Sequence, residues 1–350
     1  MEHTIAAVLA SALASFALAE VLVLTAGRHG RYTMDHPGAI QKFHSAPTPR
    51  IGGIGIYLAL LAAFSFVPGK DASQILSTIL IGGIPALLVG LLEDVTKRIS
   101  VTIRLIATMA SGALACSFSG VSLTHLDLAF VDALLAWAPA AMLFTAFAVG
   151  GVANAFNIID GFNGLASGTA TLCLLALACI AAMAGDTALV LTIMIVAAAV
   201  AGFWLVNFPW GRLFLGDGGA YFAGFALAWL AVLLPMRNAG VSPWASFLVC
   251  GYPIIEVIYS IVRRRMHRRS ASDADRHHLH SLVATNIIQR RFPRLDPTLQ
   301  NSAVSFIMWA CAAVPAIAAI LFHQHTGLLV ASALTCAVIY HCFYRQVTRT

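Results

Sequence analysis

The chain has 350 residues, of which 59% are hydrophobic and only 10% charged, with a mean hydropathy of +0.85. That balance excludes a soluble enzyme, and the least apolar stretch, from Arg263 to Gln300, is too short and too basic to form a core of its own. Residues 1–350 therefore read as one integral membrane domain with no internal repeat. The net charge of +6 suits anionic lipid and phosphate, and no interleaving of aromatic and basic residues argues for nucleic acid.

Crossing a bilayer takes about 20 apolar residues in a helix. Runs that meet this lie near 5–26, 51–67, 74–92, 102–119, 127–150, 164–184, 187–207, 218–236, 243–262, 301–322 and 327–344. Met1-Glu2-His3 offers no basic segment ahead of the first run, which therefore reads as a span and not as a cleaved signal peptide. The runs are long, rich in Ala and Leu, and lack alternation with period two, so they predict helices and not a barrel. The expected fold is an all-α integral membrane protein with about eleven transmembrane helices. The seven cysteines all fall in apolar runs without a Cys-x-x-Cys pair, as core thiols do.

Eleven crossings place alternate loops on opposite sides. One set (27–50, 93–104, 151–163, 208–217, 263–300 and 345–350) holds 19 of the 21 Lys and Arg residues, leaving Lys70 and Arg237 to the other. The positive-inside rule puts the rich set in the cytoplasm and the N-terminus outside. Acids at the ends of membrane helices are costly, and every acidic motif falls on this one face, which suggests a metal or phosphate site.

The first of these loops reads Lys42-Phe43-His44-Ser45-Ala46-Pro47-Thr48-Pro49-Arg50-Ile51-Gly52-Gly53. Its prolines stiffen an extended segment, its glycines permit close backbone approach, and Lys42, His44 and Arg50 can present donors to phosphate. Glu93-Asp94 closes the third run; adjacent carboxylates repel unless they share a cation or a proton, and Mg²⁺ prefers such oxygen ligands. In Asn154-Ala155-Phe156-Asn157-Ile158-Ile159-Asp160-Gly161-Phe162-Asn163-Gly164, helical spacing puts Asn154, Asn157 and Asp160 along one face. Asn207-Phe208-Pro209 leads into Phe214-Leu215-Gly216-Asp217-Gly218-Gly219, where Asp217 stands at a helix start. Asp275-Arg276-His277-His278-Leu279-His280 completes the set; the histidine spacing matches no common zinc pattern, so contact with an anion is the reading. Each string also has an ordinary explanation: a lipid-facing anchor, a charged helix end, a buried amide network or an N-cap.

Taken in order, these strings resemble the polyprenyl-phosphate N-acetylhexosamine-1-phosphate transferases of glycosyltransferase family 4, over about Asp35 to Leu282. Asn163, standing where the peptidoglycan enzyme of that family has a second aspartate, points to the type that initiates O-antigen or common-antigen synthesis, as does the count of eleven spans. The resemblance implies transfer of an N-acetylhexosamine 1-phosphate from a UDP-sugar to undecaprenyl phosphate, with release of UMP, at the cytoplasmic face of a bacterial inner membrane. It implies Mg²⁺, with Mn²⁺ as the alternative, membrane lipids as surroundings, and leaves a homodimer open. Asp217 would be the metal ligand and a catalytic residue. Glu93 and Asp94 would orient or deprotonate the lipid phosphate or assist the metal. Asp160 with Asn154 and Asn157 would wall the nucleotide and phosphates, and His278 and His280 would contact the pyrophosphate. Lys42, His44, Arg50, Asn163 and Asn207 complete the implied substrate contacts.

The sequence departs from the family pattern at Glu93 and Glu256, where aspartate is usual, and at Gln41, Ala220 and Ser281. Two other classes fit parts of the pattern: a secondary transporter with an acidic ion relay, and an inactive sugar-binding scaffold. Transporter sites lie near the bilayer midplane, whereas these acids gather at one edge, which favours the enzyme.

Overall fold

The computed structural model describes residues 2–35, 47–266 and 277–349. Lys42 and His44, and residues 267–276 of the basic stretch, lie outside the described residues. The helices are α1 (Glu2–Leu24), α2 (Ala26–Thr33), α3 (Gly52–Phe64), α4 (Lys70–Gly82), α5 (Ile84–Thr96), α6 (Val101–Ser119), α7 (Ala129–Leu135), α8 (Ala138–Ile159) and α9 (Leu165–Met183). They continue with α10 (Thr187–Asn207), α11 (Gly216–Arg237), α12 (Pro243–Val249), α13 (Gly251–Met266), α14 (Leu279–Leu282), α15 (Gln289–Arg291), α16 (Pro297–Phe322) and α17 (Thr326–Arg349), with a π-helical stretch at Val283–Ile288. The only strands among the described residues are β1 (Met34–Asp35) and β2 (Thr48–Pro49), paired antiparallel.

Nine of the described helices are long and apolar enough to cross a membrane, with α4 and α5 forming a single span at Lys70–Thr96. The chain is an all-helical, multi-pass membrane protein. Two of the eleven expected spans differ from the rest. The run at 243–262 is the bent pair α12 and α13, which meet at 75°, and counting it as one span gives ten. The run at 51–67 contains only the 13-residue α3, about 20 Å long at 1.5 Å per residue and short of a hydrocarbon core of about 30 Å. The run expected at 127–150 is displaced: α8 extends to Ile159, so Asn154 and Asn157 sit on the helix and not in a loop.

Local sequence sets several of the helix starts. The Ser100 hydroxyl accepts the Ile103 N–H (3.3 Å), Asp186 the Leu189 N–H (3.1 Å) and Asp296 the Thr298 N–H (2.8 Å), each satisfying an otherwise orphaned donor.

Helix α11 is the centre of the bundle, and every residue from Gly216 to Pro235 is buried. Around it pack α3, α5, α8 and α9, while α1 covers α3 and α10. Small residues allow this approach, as is usual where lipid gives helices no hydrophobic reason to associate. A Cβ on Gly53 would strike the Gly219 backbone, one on Gly90 the Gly218 backbone, and one on Gly224 would lie 2.8 Å from Ala153 Cα. The glycines at the starts of α3 and α11 therefore set the spacing of the helices that carry the acidic motifs. All seven cysteines are free.

Candidate active site

The site forms where the N-terminus of α11 meets the end of α5. Three backbone hydrogen bonds join the 48–53 segment to the loop before α11: Phe214 N–H to Pro49 O (2.8 Å), Gly52 N–H to Phe214 O (3.0 Å) and Gly53 N–H to Leu215 O (3.1 Å). Two motifs more than 150 residues apart in sequence are thereby held side by side, and the β1–β2 pairing brings Asp35 alongside.

Gly216 takes φ 75, which glycine adopts without strain, and its Cβ position is filled by Arg50 O and, at 2.6 Å, by Asp94 Oδ2. The helix that begins there has no cap from its own residues. Asp94 supplies one from α5: its Oδ1 accepts the Asp217 N–H at 2.9 Å and its Oδ2 the Gly218 N–H at 3.0 Å. Arg50 Nε lies 2.9 Å from Asp94 Oδ1. The Asp94 side chain is wholly buried, and both of its oxygens are engaged by these donors.

Asp217 projects from the same turn with its side chain 11% exposed. Arg50 Nη2 donates to its Oδ1 at 2.8 Å and Arg104 Nη1 to its Oδ2 at 2.9 Å. Arg50 also approaches Asp35 Oδ1 at 3.6 Å, and Arg104 approaches Glu93 Oε1 at 4.0 Å. Glu93 Oε2 accepts the Ile99 N–H at 2.8 Å, fixing the chain as it leaves α5. Arg104 belongs to α6 and was absent from the expected site residues; it is one of three basic residues after the Glu93-Asp94 pair, and sequence alone gives no reason to prefer it to Lys97 or Arg98.

Asp160 caps the end of α8. Its carboxyl is pushed up to about 8 by burial, with Arg50 opposing the shift and the negative charges of Asp217 and Asp94 adding to it. For Arg50, burial acts to lower the pKa, but Asp94, Asp217, Asp35 and Asp160 outweigh it and raise it above the usual range. Asn157 Oδ1 accepts the Tyr221 hydroxyl at 3.1 Å. His280 sits against the Asp160 turn: its ring meets Phe162 edge-on, with centroids 5.6 Å apart, and a Cβ on Gly161 would lie 3.6 Å from its Nε2. His278 stacks on His280 at 5.2 Å.

Three asparagines expected at the substrate are used by the fold. Asn163, 4% exposed, donates from Nδ2 to Pro209 O (3.0 Å) and Ser302 Oγ (3.2 Å), and its N–H binds Asn301 Oδ1 (2.7 Å). Asn207 accepts the Gly164 N–H (2.6 Å) and donates to Leu213 O (2.8 Å). Asn154 donates to Thr108 Oγ1 (2.7 Å) and Gly150 O (2.8 Å). Buried backbone groups need partners, and a short amide side chain bonds two strands of the chain at once.

Among the described residues, no three His, Cys, Asp or Glu side chains are placed to hold a metal ion. The carboxylates gathered here are nevertheless of the kind that holds one. Asp35, Asp94 and Asp217 border Arg50, Asp217 and Glu93 border Arg104, and Lys97 adds a further positive charge near Asp94, Asp35 and Asp217. Mg²⁺ commonly uses one or two carboxylates with phosphate and water completing its shell, and the donors here fit that kind of site.

A model of glycosyl transferase family 4 matches residues 76–235. The chain is similar to a probable undecaprenyl-phosphate N-acetylglucosaminyl 1-phosphate transferase of Bacillus subtilis, with 26% identity over 242 residues, covering 69% of this chain and 66% of that protein. It is also similar to the undecaprenyl-phosphate alpha-N-acetylglucosaminyl 1-phosphate transferases of Escherichia coli K12 (27% identity; 71% and 68% covered) and Yersinia pestis (27%; 69% and 67%). The chain thus spans about two thirds of the length of these relatives. With its motifs gathered at one end of the bundle and this model running from within α4 to near the end of α11, the chain is similar to glycosyl transferase family 4 over that region.

Proposed function

We propose that the protein transfers an N-acetylhexosamine 1-phosphate from a UDP-sugar to undecaprenyl phosphate, releasing UMP and starting a lipid-linked surface glycan. The observation that carries this reading is Asp217 held between Arg50 and Arg104 at the end of a buried, otherwise apolar helix. Such a site offers fixed cations to phosphate at the edge of a membrane, where a prenyl chain can remain in lipid. The names of the relatives support the same chemistry.

In this reaction an oxygen of the lipid phosphate attacks the β-phosphorus of the UDP-sugar. The bond from that phosphorus to the bridging oxygen breaks, and the electron pair leaves with UMP. The difficulty is crowding of negative charge, which positioned cations relieve. Arg50 and Arg104 supply two such charges, and Asp217 holds one guanidinium with each of its two oxygens. Asp94 fixes Asp217 by capping the turn that bears it. Glu93, beside Arg104, is the carboxylate placed to orient the acceptor phosphate or take its proton. When bound, Mg²⁺, or Mn²⁺ in its place, would add Lewis-acid charge to the phosphate oxygens, with Asp217 as ligand and Glu93 adjacent. Asp160 and Asn157, with His278 and His280 packed against their turn, form the wall for the nucleotide and pyrophosphate.

The 19-to-2 distribution of Lys and Arg supports a cytoplasmic site in a bacterial inner membrane with the N-terminus outside. GlcNAc, the sugar in the relatives' names, is the first donor to test. The experiment is UMP release by the purified protein from a panel of UDP-N-acetylhexosamines with undecaprenyl phosphate and Mg²⁺. Lipid-dependent release with at least one donor is expected; none with any donor overturns the proposal.

A further inference from the structure

Glu256 has no part in the chemistry above, yet it is fully buried within α13. An isolated buried carboxylate is costly and persists where several donors compensate it. Here Oε1 accepts the Leu279 N–H at 3.2 Å and lies 3.0 Å from His278 Nδ1, while Oε2 accepts the Tyr340 hydroxyl at 2.6 Å. Ser260 Oγ lies 3.2 Å from the same histidine nitrogen. One turn beyond Tyr340 on α17, the Tyr344 hydroxyl donates to His277 O at 3.0 Å. The last helix, outside the region matched by the family model, therefore holds the histidine segment directly through Tyr344 and indirectly through Tyr340 and Glu256.

The carboxylate also decides which ring atom carries a proton. A carboxylate next to Nδ1 makes that nitrogen the donor, so contact between His278 and a phosphate falls to Nε2. Its stacking on His280, which abuts Gly161 and Phe162, carries the orientation on to the Asp160 turn. Glutamate at 256, where the family pattern has aspartate, supplies the reach to bond His278 and Tyr340 with different oxygens.

We propose that Glu256 and Tyr340 are positioning residues that hold His278 in a fixed ring orientation for the donor's pyrophosphate, so that α17 sets the affinity for the UDP-sugar. This rests on the reading of the site as a UDP-sugar transferase. The test uses the full chain with Tyr340→Phe, Glu256→Gln and His278→Ala, alone and in pairs. Tyr340→Phe and Glu256→Gln should each raise the KM for the UDP-sugar about fivefold or more while kcat changes less than about twofold. In the His278→Ala background either change should add less than about twofold, because the residue they act through is gone. An unchanged KM, or equal effects in both backgrounds, overturns the proposal, and Tyr340→Phe decides it if Glu256→Gln does not fold. Amide exchange provides a readout independent of turnover. Tyr340→Phe should speed exchange across 278–282 about tenfold, leaving 220–235 unchanged. Unaltered exchange refutes the clamp even if UMP is released, whereas loss of UMP release from the unaltered protein with an intact exchange effect refutes only the transferase reading.

Discussion

Asp94 accepts the backbone N–H of Asp217 at 2.9 Å, so one acid of the site is the structural support of another. The Asp94 oxygens are taken up by two amides of α11 and by Arg50, whereas Asp217 reaches the solvent-facing side between two guanidiniums. Adjacent functions that look alike in sequence therefore separate in space.

This separation predicts different outcomes for equivalent substitutions. Asp94→Asn turns an amide N–H₂ toward a backbone donor and should cost about 1–3 kcal/mol of stability as well as most of the turnover. Asp217→Asn should leave the purified protein's melting temperature close to that of the native protein while reducing turnover more than about tenfold, because it weakens the hold on Arg50 and Arg104, and on the proposed metal, without removing a buried cap. Parallel thermal melts and UMP-release assays compare the two. Equal losses of stability would contradict the division of roles.

Glu93 bonds the Ile99 amide through one oxygen and turns the other toward Arg104. Glu93→Gln can retain the first contact, so folding should persist while turnover falls about tenfold or more for loss of an acid–base group. Glu93→Asp keeps the charge and should retain substantial activity. Full activity of Glu93→Gln in the UMP assay would reduce Glu93 to an interfacial charge.

Arg104 should matter as much as Arg50 to phosphate binding. Arg104→Lys cannot reproduce a planar guanidinium between Asp217 and Glu93, and kcat/KM should fall about tenfold or more. Steady-state kinetics at saturating lipid acceptor measure this, and a value within twofold of the native one would remove Arg104 from the site.

The Asp160 carboxyl, pushed up to about 8 from 3.8, predicts a pH dependence of stability. In the unfolded chain it is ionised above about pH 4, while the folded protein prefers it protonated up to about pH 8. Its ionisation therefore increasingly penalises the fold as pH rises through that window, and the penalty levels off above it. Asp160→Asn removes the penalty, so its melting temperature relative to the unaltered protein should rise between pH 5 and pH 9 without ligand or metal. A constant difference would show that Asp160 is not protonated in the fold.

Topology can be checked at exposed described positions. In a cysteine-free background, Arg98→Cys and Arg294→Cys should be shielded from a membrane-impermeant maleimide in intact cells, and Ala239→Cys should react. Labelling of Arg98→Cys and Arg294→Cys on opposite sides would break the single-face site.

The apolar runs, the Lys and Arg asymmetry and the order of the motifs were legible in the sequence because each is a local property. A bilayer core satisfies no backbone hydrogen bonds, so long apolar runs must be helices whatever surrounds them. The glycines of Gly52-Gly53 and Gly216-Asp217-Gly218-Gly219 signalled close backbone approach for the same local reason, but their partners were not in view. Tertiary structure alone decided that Asp94 turns inward to cap α11, that Arg104 meets Asp217, and that Asn163 and Asn207 pin loops. It also broke the run at 243–262 into two helices at 75° and joined Tyr340 to Glu256. Each of these depends on residues far apart in sequence competing for the same few buried donors and acceptors. Spacing along one segment cannot tell which partner a side chain will find, because that choice is made by packing, where an unpaired polar group is costly and a paired one is held.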